Sequence, residues 1–183
     1  MGVGKSSLMS QYIKKEFPES PLPTIAIEFA TKIIKIKEGG YVKAQIWDTA
    51  GQEKYKSITG AYFKGSKGAL IVYDITQKNT FESLEKWVND LKSAGDPKIT
   101  IILIGNKSDL EETRQVSKEQ GEEKAKNLKC AFFETSALSD INIDEIFEKF
   151  SSDSSEDKEL GTNVKGEDVK LDKVKDKNKK KCC

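Results

Sequence analysis

The chain has no histidine among its 183 residues, which excludes imidazole as acid, base or metal ligand. It has three cysteines, two of them adjacent at the C-terminus, so no disulfide framework can form. Cys130 is expected to be a buried small hydrophobe in a reducing compartment. No run approaches the ~20 apolar residues that span a bilayer, and no secretory signal pattern opens the sequence. Charge of one sign is also missing: 31 basic and 30 acidic side chains leave a net +1. Nucleic-acid binding through bulk charge is therefore not expected.

What remains is enough for one domain and an appendage. Apolar residues are ordinary up to Phe150 and then nearly vanish. Before that point strands and helices alternate, which predicts an α/β fold with a mostly parallel sheet and helices on both faces. Residues 31–37 and 41–47 read as a hairpin turned at Gly39-Gly40. The run 99–104 reads as a buried parallel strand, and 130–133 as another. Helices are expected from Ser6 to about Lys15, over 79–94, over 117–128 and over 142–150. The second carries Phe81, Leu84, Val88 and Leu91 on one face; the last turns Ile143, Ile146, Phe147 and Phe150 inward and should end at Ser151-Ser152.

Four segments carry chemistry. Asn106-Lys107-Ser108-Asp109 follows the buried strand and Gly105. There an aspartate can accept two hydrogen bonds from a flat heterocycle edge with adjacent N–H donors, which guanine has and adenine lacks. Gly2-Val3-Gly4-Lys5-Ser6-Ser7 is the back half of a Gly-x-x-x-x-Gly-Lys-Ser phosphate loop. In it the glycines free backbone N–H groups for an anion, the lysine reaches outer phosphates and Ser6 can ligate Mg²⁺. Asp48-Thr49-Ala50-Gly51-Gln52 ends the hairpin. Asp48 is placed to hold a metal through water, Gly51 to offer its N–H to a terminal phosphate, and Gln52 to orient an attacking water. Glu134-Thr135-Ser136-Ala137 follows a strand, and Ser136 and Ala137 would bring backbone N–H groups to the base. Singly, each segment also fits ordinary loop or turn chemistry; in this order and spacing, chance is a poor account.

Together they resemble a small GTPase of the Ras superfamily, in its Rab branch. The branch signal lies in Ile25–Phe29, Lys43–Trp47, Lys54–Thr59, Tyr62–Gly65 and Ile71–Thr76, and the double-cysteine end is a common Rab ending. The match covers about residues 2–150, and within the branch the chain looks most like the recycling-endosome Rabs. The resemblance implies a P-loop fold with GTP or GDP as ligand and Mg²⁺ as cofactor. It also implies roles by position. Thr24 becomes the first-switch hydroxyl on Mg²⁺, Phe17 the aromatic against the purine, and Lys107 the stem along its other face. Ile25 joins Phe29, Trp47 and Tyr62 as an effector surface.

The implied device is a switch: Mg²⁺-GTP bridges Thr24 and Gly51, and hydrolysis releases both loops. Partners would be an exchange factor, a GTPase-activating protein, effectors, and prenylation escort and membrane-extraction proteins, acting on a monomer. Residues 1–150 would form the GTPase domain and 151–183 a disordered tail. Its lysine-rich end with Cys182 and Cys183 reads either as a solubilising tail or as a prenyl tether to the cytoplasmic face of endomembranes, and the resemblance favours the tether. Two features depart from the family pattern. Ala26 replaces a usual glycine on the effector side. The family's first, central strand and the first glycine of its phosphate loop would precede Met1, so the chain is expected to be an incomplete version. A nucleotide-impaired binding module is therefore a second reading, and another P-loop enzyme such as a nucleotide kinase a third.

Overall fold

The computed structural model describes residues 2–18, 23–24, 27–35, 41–51, 62–96 and 98–153, with residues 151–153 as backbone only. Helix α1 spans Lys5–Lys14. Strands β1 (Glu28–Lys35) and β2 (Tyr41–Asp48) form the expected antiparallel hairpin, with Phe29 opposite Trp47. Strands β3 (Gly68–Asp74), β4 (Thr100–Asn106) and β5 (Ala131–Thr135) form a parallel sheet in that order. Helices α2 (Lys78–Glu82) and α3 (Leu84–Ala94) join β3 to β4, and α4 (Lys118–Leu128) joins β4 to β5. Helix α5 (Ile143–Asp153) closes the described chain. Among the described residues, the hairpin and the parallel sheet share no ladder.

The sheet is covered on both faces, which is why β4 is apolar throughout rather than alternating. Ile102 and Ile104 pack with Leu8 and Tyr12 of α1 and Ile143, Ile146 and Phe147 of α5. Leu103 packs on the opposite side with Leu84, Val116 and Ala125, and Ile101 with Val88 and Leu91 of α3. Side chains of the hairpin (Ile34 and Ile46) join the first of these clusters. Tyr12 stacks on Phe147 at 3.6 Å between centroids, and Lys32 of β1 donates to the Tyr12 carbonyl at 2.6 Å. The hairpin is thus tied to α1 and α1 to α5.

Three expectations need correction. The helix expected over 79–94 is two helices meeting at Ser83, whose hydroxyl donates to the Asn79 carbonyl. Back-bonding of this kind competes with a straight helix. Its inward residues Leu84, Val88 and Leu91 are nonetheless buried as the spacing requires. The last helix does not stop at Ser151-Ser152 but runs to Asp153, since serine lowers helix propensity only slightly. Cys130 is half-buried rather than buried, with burial pushing its thiol pKa up.

Candidate functional site

The carboxyl ends of the parallel strands and the start of α1 meet on one edge of the sheet, the usual place for a ligand in such folds. The link is direct: Asn106, at the end of β4, donates from Nδ2 to the Val3 carbonyl at 2.9 Å. Its Oδ1 accepts from Thr135 Oγ1 of β5 at 3.0 Å, so the Asn106 amide joins the segment before α1 to two strand ends. Both side chains are essentially buried, at 1% and 0% exposed. Gly4 makes this approach possible. Its φ is 91°, and a Cβ there would lie 2.3 Å from Asn106 Nδ2. Gly2 also has positive φ, at 72°.

Helix α1 begins with no side-chain cap and no acidic residue in its first turn. Its first backbone N–H groups have no partner within the helix, and with the helix dipole they form an anion site. Lys5 stands in that turn. Burial pushes its ammonium pKa down while Asp48 pulls it back up, so the side chain suits an anionic partner.

Ser6, Thr24 and Asp48 come from α1, the following loop and the end of β2. Their oxygens nevertheless converge: Ser6 Oγ lies 2.7 Å from Thr24 Oγ1 and donates to Asp48 Oδ2. Thr24 Oγ1 also donates to Asp48 Oδ2, at 3.4 Å. Two hydroxyls and a carboxylate are hard oxygen donors suited to Mg²⁺, which keeps several waters beside few protein ligands. Ala50 is buried and Gly51 half-buried just beyond Asp48.

At the other end, Asp109 Oδ1 accepts from Ser136 Oγ at 2.5 Å, and Ser136 Oγ accepts from the Ser139 N–H at 2.9 Å. The Ser108 N–H donates to the Thr135 carbonyl at 2.9 Å, fastening the two loops together. Asp109 is exposed, whereas Ser136 and Ala137 are buried beneath it. Phe17 lies past the end of α1, 38% exposed. Lys107 adopts a left-handed backbone, φ 69°, and its ammonium is 2.6 Å from Asp74.

Of the expected effector residues, Phe29, Trp47 and Tyr62 form a tilted aromatic row, with centroid separations of 4.6 and 5.0 Å. Phe29 and Trp47 are nearly half exposed, at 49% and 44%. Ile25, Gln52, Cys182 and Cys183 lie outside the described residues. The sole arginine is committed elsewhere: Arg114 pairs with Glu134 at 2.6 Å and Glu111 at 2.7 Å. Two polar residues of the site escaped the sequence reading. Thr135 was visible as a polar residue ending a buried strand, and Asp74 as an acid ending Gly68–Tyr73.

Fold and site define a P-loop nucleotide-binding protein of the α/β class. The profile of the Ras family matches residues 1–156. Ras-related protein RABA1b of Arabidopsis thaliana is 49% identical over 146 residues, which cover 80% of this chain and 67% of that protein. Ras-related protein RABA2a of the same plant is 41% identical over 193 aligned residues, covering 100% of this chain and 88% of that protein. Ras-related protein Rab-11A of Dictyostelium discoideum is 47% identical over 147 residues, covering 80% and 68%. The chain belongs to the Ras family and, within it, to the Rab branch of small GTPases. It is a GTP-hydrolysing switch of the kind that serves vesicle traffic.

Proposed function

We propose that Mg²⁺-GTP binds along the edge from Ser6 to Asp109 and that the loops carrying Thr24 and Gly51 report its γ-phosphate. The observation that carries this reading is the convergence of Ser6, Thr24 and Asp48, oxygen donors up to 42 residues apart in sequence. Gly2, Val3, Gly4, Lys5, Ser6 and Ser7 hold the phosphates through backbone N–H groups, the Lys5 ammonium and the α1 dipole. Ser6 and Thr24 are direct Mg²⁺ ligands and Asp48 holds the ion through water. When bound, the ion supplies charge neutralisation to the β- and γ-phosphates. Asn106 fixes the geometry of the edge, Asp109 takes the guanine N–H edge, and Ser136 and Ala137 line the base, which lies between Phe17 and Lys107.

Gln52 orients the attacking water, and Gly51 donates its N–H to the γ-phosphate. Because Arg114 is held by two glutamates, no guanidinium among the described residues is free to neutralise charge in the transition state. Intrinsic turnover is then slow, and an arginine supplied by a GTPase-activating protein adds ~10³–10⁵ in rate. Loss of the γ-phosphate releases both loops, and effectors reading Ile25, Phe29, Trp47 and Tyr62 read the nucleotide.

The GTPase domain continues through the end of α5, and the residues beyond it act as a tail. No described helix is long and apolar enough to cross a membrane. Attachment would come from prenyl groups on Cys182 and Cys183 assisted by the neighbouring lysines, giving a membrane-bound and a cytosolic pool. Exchange factors, prenylation escort and membrane-extraction proteins complete the cycle. Base recognition is tested with Asp109→Asn. The variant should lose GDP affinity and gain affinity for xanthosine diphosphate, whose edge presents a carbonyl in place of the amine. Unchanged preference for GDP would overturn the guanine assignment.

A further inference from the structure

Asp74 ends β3 directly opposite Asn106 in the β3–β4 register and is 0% exposed. Its carboxylate is saturated. Oδ2 accepts from Lys107 Nζ at 2.6 Å and Gln77 Nε2 at 3.0 Å. Oδ1 accepts from the Thr76 N–H at 2.9 Å and the Thr76 hydroxyl at 2.7 Å. The Asp74 backbone is fixed as well, its N–H donating to Thr80 Oγ1 at 3.0 Å. A carboxylate with all its acceptor positions in use cannot rotate without losing hydrogen bonds in a buried place.

Two considerations show what this anchor is for. A neutral amide oxygen could take the two Thr76 donors on Oδ1, but Oδ2 is shared by Gln77 and Lys107. Of all these donors only the Lys107 ammonium is charged and matches the negative charge, which is costly to bury. Lys107 in turn sits between Asn106 and Asp109, in the tetrapeptide that faces the base. With its Cα past β4 and its ammonium at β3, its methylene stem must span the two strand ends.

We propose that Asp74 is a positioning residue for nucleotide binding: it holds the Lys107 side chain extended so that its stem forms a fixed wall for the purine. This inference rests on the guanine-site reading above. The pair pre-organises a long side chain that otherwise gives up considerable rotamer freedom on binding. It also steadies the left-handed backbone at Lys107, φ 69°.

A double-mutant cycle on fluorescent-GDP dissociation tests this, using the full chain, Asp74→Asn, Lys107→Met and the double variant. Asp74→Asn should speed GDP release by about tenfold, equivalent to ~1.4 kcal/mol. In the Lys107→Met background the same change should have almost no further effect, because nothing is left to position. Equal factors in both backgrounds, or no effect in either, would overturn the proposal. If Asp74→Asn does not fold, lysine-ammonium NMR on the unaltered GDP-bound chain decides. The Lys107 ammonium should exchange with water far more slowly than that of exposed Lys118, and equal exchange would overturn it. Failure of the unaltered chain to bind GDP would refute the guanine site itself, whereas GDP binding without coupling refutes this inference alone.

Discussion

Replacing Gly4 by alanine should be among the most damaging single-methyl additions in this chain, and its cost can be worked from two terms. The backbone at Gly4 has φ 91°, a region that costs an alanine about 1–2 kcal/mol. The new methyl would also lie 2.3 Å from Asn106 Nδ2. That amide is buried and bonded to the Val3 carbonyl and Thr135 Oγ1, so it cannot swing aside cheaply. Each bond left unmade in a buried place costs about 1–3 kcal/mol. With one of the two bonds lost the sum is about 2–5 kcal/mol, a large part of the ~5–15 kcal/mol that holds a domain. With a urea slope of about 2 kcal/mol/M, the unfolding midpoint should fall by roughly 1–2.5 M, followed through the fluorescence of the two tryptophans. In an Asn106→Ala background the clash disappears, and Gly4→Ala should cost only the backbone term of about 1–2 kcal/mol. A midpoint unmoved by Gly4→Ala, or an equal loss in both backgrounds, would refute the reasoning.

Other outcomes follow from the same geometry. Asp48→Asn should weaken the Mg²⁺ affinity of the GDP complex by about 10–100-fold, the usual cost of losing an outer-shell partner; chelation that speeds GDP release equally in both proteins would contradict this. Gln52→Leu should lower stimulated GTP hydrolysis, and unchanged single-turnover cleavage would remove Gln52 from the reaction. Acid stability should depend on Asp74. Burial opposes its ionisation, but hydrogen bonds from Lys107 and Thr76 outweigh it and hold the carboxyl below its ordinary value. A carboxyl depressed on folding stabilises the protein above its unfolded pKa of about 3.9 and loses that contribution as pH falls through its folded value. The unaltered chain should therefore lose stability below about pH 4 more steeply than Asp74→Asn; parallel acid-unfolding curves would contradict the assignment.

Much of this architecture is legible in the sequence because its signals are local. The β4 run Ile101–Ile104 is apolar at every position, which only a strand covered on both faces permits. The hairpin shows in the Gly39-Gly40 pair of the sequence, which separates two runs suited to strands, and α4 is capped at Ser117, where a capping box with Gln120 forms. The segments Gly2–Ser7, Asp48–Gln52 and Asn106–Asp109 are each contiguous, so their residue types are legible in the sequence, whereas the convergence of Ser6, Thr24 and Asp48 is not. What escaped is set by packing between distant parts. Nothing in the spacing of Gly4 and Asn106 shows that a methyl on one would strike the other. The break at Ser83 depends on a hydroxyl choosing a backbone partner, and uninterrupted apolar spacing hides it. Asp74 and Thr135 read as ordinary polar ends of buried strands; only the register across β3, β4 and β5 brings them to Lys107 and Asn106.

The edge from Ser6 to Asp109 is proposed to form a single guanine-nucleotide site. Isothermal titration of the unaltered chain in Mg²⁺ should give one-to-one heat with GDP, weaker binding when Mg²⁺ is chelated, and none with ADP at the same concentration. Equal binding of ADP and GDP, or no heat with either, would contradict it.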